Sequence, residues 1–281
     1  MPVRSVGIVG AGTMGQGIAV TCAAAGLDVL VSERSAEDGA RALAEIAEGL
    51  DRDIAKWRRT ESEKKAILAR ILSVETLPAL EPTDLVVEAV HEDLDLKVAI
   101  FQELDRVVSP DDILATNTSA LSVTEIAART SRPGRVIGLH FLHPVPMVPL
   151  VEVVRGLKTT DGTYAAAMEF VRVIGKTGIE VFEYPGYVTT RVILPFLNEA
   201  MHVVMEGVAS AEAVDTSMKL GYGLPVGPLA LDELGDFKYR PCPLLRKMIR
   251  AGYLGVKSGR ASSSTTRTGR RRSEADALEA A

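Results

Sequence analysis

Six residues near the start of the chain, Gly10-Ala11-Gly12-Thr13-Met14-Gly15, constrain its architecture more than any other segment. The glycines keep a G-x-G-x-x-G spacing. They follow an apolar run over residues 3–9 that reads as a buried strand, and they open a helical stretch over 14–25 that Gly26 closes. In that strand–loop–helix context the first glycine permits a tight turn, the second lets a backbone approach a pyrophosphate, and the third permits close helix–strand packing. The new helix turns unpaired N–H groups and its positive dipole end toward bound phosphate. Gly10, Gly12, Thr13, Met14 and Gly15 are therefore candidate contacts to a dinucleotide.

A second apolar strand is expected over 27–32, and Glu33 stands at its end, close to the roughly 20-residue spacing at which such units place a ribose-binding acid. A carboxylate there accepts ribose hydroxyls and repels a 2′-phosphate, which favours NAD over NADP. Arg34 follows directly and is a possible partner for such a phosphate.

Beyond this loop the pattern alternates. Helix is expected over 35–51, a charged helical region to 72, strand over 84–89, helix over 94–107, strand over 113–116, a short helix over 123–128 and strand over 135–140. Segments 148–155 and 180–184 read as further strands at the sheet edge. Such alternation predicts an α/β Rossmann fold, doubly wound, with a mainly parallel sheet covered on both faces. After Pro185-Gly186-Tyr187 the character changes to helix, over 188–206, 211–220 and 243–251. The sequence thus divides into a dinucleotide-binding domain (1–185), a smaller all-α domain (186–260), and a Ser/Thr/Arg-rich tail (261–281) whose composition reads as disordered.

Bulk properties narrow the function classes. Net charge is −5, with 47% hydrophobic and 25% charged residues, which argues against a general nucleic-acid binder. The two cysteines, Cys22 and Cys242, have neither metal-ligand spacing nor a disulfide framework; Cys22 lies in an apolar helical stretch and reads as a small core residue. No signal peptide precedes the first strand and no apolar run suffices to span a bilayer, so a cytoplasmic protein is expected.

Several motifs, taken in order, resemble the short-chain L-3-hydroxyacyl-CoA dehydrogenase family and within it the bacterial 3-hydroxybutyryl-CoA dehydrogenases. They are Gly10 to Ala19 (GAGTMGQGIA), Asn117-Thr118-Ser119, Gly138-Leu139-His140-Phe141, Leu150 to Gly156 (LVEVVRG), Pro185-Gly186-Tyr187-Val188, Asn198-Glu199-Ala200 and Lys238-Tyr239-Arg240-Pro241. The match runs from residue 3 to about 231 and resumes from about 234 to 260. The resemblance implies hydride transfer between NAD and C3 of a 3-hydroxyacyl-CoA. It implies His140 as the base, Glu152 as the carboxylate that orients it, and Ser119 as hydrogen-bonding the C3 oxygen and bordering the cofactor. His140 and Glu152 lie twelve residues apart, a spacing compatible with a turn between neighbouring strands. The resemblance further places Glu92 and Lys97 near the nicotinamide ribose, and Lys56 and Arg59 at the CoA phosphates. It also implies a homodimer. Each residue has a plainer reading: a solvated turn carboxylate for Glu33, a surface strand residue for Glu152, a turn cap for Ser119, a helix start for Glu92 and Lys97, a solvated charged face for Lys56 and Arg59.

The sequence departs from the family pattern at four places. Thr190 replaces an asparagine that contacts substrate, keeping a hydroxyl but losing the amide's reach. His143 replaces an asparagine near the nicotinamide. Only Asp232 to Phe237 stand where the family has a long helix, so on the order of 20 residues, about 30 Å of helix, are missing. From Ala261 the chain enters the arginine-containing tail. An active enzyme on short acyl-CoA substrates is the first expectation. An NAD-binding homologue with little turnover is the alternative, and a dehydrogenase of another 3-hydroxy acid, without affinity for CoA, is the third.

Overall fold

The computed structural model describes residues 3–230. Its elements in chain order are β1 (Ser5–Val9), α1 (Thr13–Ala24), β2 (Asp28–Ser32), α2 (Ala36–Ala55), α3 (Glu61–Leu68), β3 (Ile71–Val74), β4 (Leu85–Glu88), α4 (Leu94–Val107), β5 (Ile113–Thr116), α5 (Val123–Ala127), β6 (Val136–Phe141), β7 (Leu150–Arg155), α6 (Asp161–Val173), β8 (Thr177–Phe182), α7 (Thr189–Met205) and α8 (Ala211–Tyr222). The chain divides into two compact units, Met1–Val188 and a second beginning at Thr189.

In the first unit eight strands form one sheet in the order β3-β2-β1-β4-β5-β6-β7-β8. All described pairings are parallel except β6 with β7. The central strands β4, β5 and β6 are buried along their whole length, as a sheet covered on both faces requires. Alternation along each strand splits the core. From β4, Leu85 and Val87 face Ile18 and Cys22 of α1, Ile46 and Leu50 of α2 and Phe170 of α6. Val86 faces the other way, toward Phe101 and Leu104 of α4 and Ile126 of α5. Cys22 is a core residue, and burial pushes its thiol up to about 12 against the opposing pull of the Lys176 charge.

Local chemistry sets the helix starts. Ser35 accepts the Asp38 N–H at 3.1 Å, Asp93 accepts the Leu96 N–H at 2.9 Å, and Thr60 and Glu63 form a reciprocal capping box. In the second unit α7 and α8 share a small core of Ala200, Met201, Val214 and Leu229. Buried Asp215 accepts the Leu229 N–H at 2.7 Å. Gly227 lies so close to it that a Cβ would stand 2.3 Å from the carboxylate carbon.

The strand–helix alternation expected from the sequence is present, with three differences. The charged helical region does not run to residue 72: α3 ends at Leu68, and Ile71–Val74 pairs with β2 as the edge strand β3. That strand has four residues and only Ile71 is buried, too short a pattern to stand out from the charged segment before it. The thirteen-residue helix α6 was not anticipated. The last strand, β8, begins at Thr177 rather than 180. The expected helix over 243–251, the shortened stretch Asp232 to Phe237, the Lys238-Tyr239-Arg240-Pro241 motif and the tail 261–281 lie outside the described residues. Among those described, no helix is long and apolar enough to cross a membrane, and no cluster of three or more His, Cys, Asp or Glu is placed to hold a metal.

Phe101 is fully buried at the centre of the α4 face of the core. Phe101→Ala is expected to lower the unfolding free energy by about 3–5 kcal/mol, measured by urea denaturation of the full chain.

Candidate active site

Parallel strands bring their carboxyl ends to one edge of the sheet, and strand order reverses between β1 and β4, the position where α/β sheets take ligands. The glycine loop leaves β1 there. Gly10 has φ 93°, and a Cβ on it would lie 2.9 Å from Val90. At Gly15 a Cβ would come within 1.9 Å of the Gly10 carbonyl oxygen. At Gly12 a Cβ would meet nothing within 4 Å, so the loop is open on that side. Gly12 also caps α1 with no side-chain hydrogen bond. An open face beside a helix start without a side-chain cap fits a dinucleotide pyrophosphate. Thr13 is exposed and Met14 half-buried in the first turn of α1. At the end of β2 the Glu33 carboxylate accepts the Ala11 N–H, which aims it at the loop.

The loop after β4 is organised by charge. Glu88, the last residue of β4, is fully buried; its Oε1 accepts Lys97 Nζ and the Val90 N–H, each at 2.7 Å, and its Oε2 accepts the Thr116 hydroxyl at 2.7 Å. Lys97, from α4, is 1% exposed and also reaches Glu92 Oε2 at 3.2 Å. Glu92 in turn accepts the Thr118 hydroxyl and, at 3.2 Å, the Ser119 N–H. Thr118 accepts the Leu121 N–H at 2.9 Å, closing the turn that displays Ser119. Lys97 is therefore not part of an exposed helix start, because it lies inside between two acids, whereas Glu92 itself stays exposed.

One strand further on, Asn117 Oδ1 accepts the Phe141 N–H at 2.9 Å and stitches the end of β5 to the end of β6. His140 of β6 stands opposite Glu152 of antiparallel β7 in the ladder. Its Nδ1 lies 2.6 Å from Glu152 Oε2, and both side chains are buried. Glu152 Oε1 accepts the Val188 N–H at 3.0 Å. With Nδ1 donating to the carboxylate, Nε2 carries the lone pair and is the ring's basic nitrogen. Tyr187 closes this side, its ring 5.6 Å from that of His140 and its hydroxyl donating to the Leu121 carbonyl at 3.2 Å. Burial raises the Tyr187 phenol well above the usual tyrosine range. The carboxylates of Glu183, Glu92 and Glu152 add to that rise and a Thr118 hydrogen bond opposes it, so the ring is a neutral wall.

The sequence-identified residues thus fall into three places. Gly10, Gly12, Thr13, Met14, Gly15, Glu33, Glu92, Lys97, Ser119, His140 and Glu152 gather at the carboxyl edge, with His143 exposed in the loop that follows β6. Lys56 and Arg59 lie between α2 and α3, where Arg59 pairs with Asp53 at 3.8 Å. Thr190 belongs to the first turn of α7 in the second unit. Sequence reasoning missed Glu88 and Thr116, and it gave no role to Thr118 and Tyr187, which it held only as members of motifs. The signal for Glu88 is an acid ending the apolar run Leu85-Val86-Val87, with a lysine available one helical turn into the next element.

Lys97→Met leaves Glu88 buried without its cation. It is expected to cost about 3–5 kcal/mol in denaturant unfolding, with less loss when Glu88→Gln removes the stranded charge as well.

Comparison with known proteins agrees with this geometry. The family model for the 3-hydroxyacyl-CoA dehydrogenase NAD binding domain matches residues 5–184, and that for the 3-hydroxyacyl-CoA dehydrogenase C-terminal domain matches 186–235. A probable 3-hydroxybutyryl-CoA dehydrogenase of Bacillus subtilis (strain 168) is 47% identical over 277 residues, covering 92% of this chain and 96% of that protein. Among solved structures, (S)-3-hydroxybutyryl-CoA dehydrogenase PaaH1 from Ralstonia eutropha superposes with a TM-score of 0.85 at 45% identity, covering 92% of this chain and 98% of that one. FadB2 of M. tuberculosis superposes with a TM-score of 0.90 at 38% identity, covering 95% and 100%. With a family model matched along most of the Rossmann unit and a second beginning just after it, the chain belongs to the 3-hydroxyacyl-CoA dehydrogenase family.

Proposed function

We propose that the protein is an NAD-dependent dehydrogenase that interconverts a 3-hydroxyacyl-CoA and the 3-oxoacyl-CoA, with 3-hydroxybutyryl-CoA and acetoacetyl-CoA as the physiological pair. The observation that carries the reading is the buried His140–Glu152 pair, set at the same sheet edge as the open glycine loop. In the oxidative direction His140 Nε2 takes the C3 hydroxyl proton, and Glu152 stabilises the imidazolium that forms. NAD, when bound, takes up the hydride that leaves C3. Ser119 hydrogen-bonds the C3 oxygen, held in place by the Glu92–Thr118 contact behind it. Glu33 meets the adenosine ribose, and Glu92, Lys97 and His143 border the nicotinamide side, Lys97 acting through the acids it holds. Thr190 contacts the acyl portion, and Lys56 and Arg59 meet the phosphates of CoA.

In this reading residues 1–185 are the NAD-binding domain, 186–260 the substrate and dimerisation domain, and 261–281 have no part in the chemistry. A cytoplasmic setting is supported by a chain of two cysteines, of which Cys22 is a free buried thiol.

Purified protein is expected to oxidise NADH in the presence of acetoacetyl-CoA. His140→Ala should lower kcat by roughly 100- to 10,000-fold with little change in NADH affinity. Absence of turnover in the parent protein at high enzyme concentration, beside tight NADH binding, would identify a binding-only homologue. Glu33→Ala should narrow the preference for NADH over NADPH, read as the ratio of the two kcat/KM values.

A further inference from the structure

The only tryptophan of the chain, Trp57, is 96% exposed and takes φ 58°. It occupies the left-handed position that ends α2. Its N–H donates to the Ile54 carbonyl at 2.9 Å, and the Arg58 N–H donates to the Asp53 carbonyl at 2.9 Å. This hydrogen-bond pattern usually places glycine where Trp57 stands, because a Cβ is disfavoured there. The fold therefore gains no burial from the indole and carries it on an unfavourable backbone. Its immediate neighbours are cations. Lys56 has no ion-pair partner among the described residues, and Arg58 and Arg59 share the single carboxylate of Asp53 at 3.7 and 3.8 Å. Glu61 and Glu63 follow in α3, and Glu63 is turned back into its own capping box. The turn also borders the loop that leaves the His140 strand. Arg58 Nη1 lies 3.5 Å from Met147 Sδ, and Arg59, Pro146, Met147 and Lys176 line a cavity of about 370 Å³.

A solvent-facing aromatic ring on a hydrogen-bonded turn, set among cations, has the chemistry of a purine-stacking platform beside phosphate-binding groups. We propose that the indole of Trp57 stacks on the adenine of the substrate's CoA while Lys56, Arg58 and Arg59 meet its phosphates, an inference that rests on the acyl-CoA reading above. Trp57 then acts in ground-state recognition of the nucleotide end, remote from the reacting carbon, so it affects KM and leaves kcat alone.

Because Trp57 is the only tryptophan, its emission reports on this position alone. In the full-length protein, CoA and adenosine 3′,5′-bisphosphate should each quench the fluorescence saturably, and pantetheine should not. Trp57→Gly suits the left-handed backbone and preserves the fold. It should raise KM for acetoacetyl-CoA roughly tenfold, leave kcat unchanged, and leave KM for acetoacetyl-pantetheine unchanged; Trp57→Phe should keep most of the affinity. An emission indifferent to CoA at concentrations that saturate turnover overturns the proposal, as does an equal KM change for the two substrates. A shift in sedimentation on Trp57→Gly also overturns it, by assigning the ring to contact between copies. In each of those cases the dehydrogenase reading stands. Quenching by CoA without turnover of either substrate would instead sink the dehydrogenase reading and leave nucleotide binding at Trp57 in place.

Discussion

The buried ion pair of Glu88 and Lys97 is the interaction on which the carboxyl edge of the sheet depends. A carboxylate with no solvent exposure at the end of a central strand is costly unless it is both paired and hydrogen-bonded, and here a lysine, a backbone N–H and a threonine hydroxyl meet it. The compensation ties three elements together. Val90 fixes the chain leaving β4, Lys97 docks the start of α4, and Thr116 ends β5. Through Lys97 the same charge holds Glu92, and through Glu92 the turn carrying Ser119. The site is thus positioned by an interior electrostatic knot rather than by the loops that surround it.

What was legible in the sequence followed from local rules. The glycine loop declared the first strand and helix, because only glycine tolerates the turn at Gly10 and the contact at Gly15. Fully buried strands read as apolar runs, and helices expected from residues 35 and 94 are present, with Ser35 and Asp93 as their caps. His140 and Glu152 were found through motif order, and the ladder places them opposite one another. The edge strand Ile71–Val74 stayed hidden because one buried residue in four leaves no period to read. The plainer reading of Lys97, a helix start in solvent, fails although a lysine in the first turn of a helix is ordinarily solvated. The buried glutamate that ends the preceding strand, nine residues earlier, draws it inside. Trp57 escaped notice because nothing in composition distinguishes an exposed tryptophan from a buried one.

The candidate site is also braced from behind by hydrogen bonds within the chain. Asn117 joins the end of β5 to the end of β6, and Glu152 accepts from Val188 as well as from the histidine. Tyr187 covers the imidazole from the side, and its own hydroxyl reaches back to the Ser119 turn at Leu121. These contacts hold the histidine and its carboxylate from several directions, the support that the proposed proton transfer calls for.

The reversal of direction between β6 and β7 has a consequence for how the molecule assembles itself. Because these two strands run antiparallel, no crossover helix separates them, and the histidine and its carboxylate are only 12 residues apart. The contacts that organise the cofactor side span more chain: 22 residues from Ala11 to Glu33 and 28 from Glu88 to Thr116. Loop-closure entropy grows with that separation, and parallel pairing cannot form until its intervening helix has been laid down. The histidine–glutamate pair therefore belongs to a short-range hairpin able to form early in folding, while the glycine-loop edge is completed only when distant parts of the chain have met.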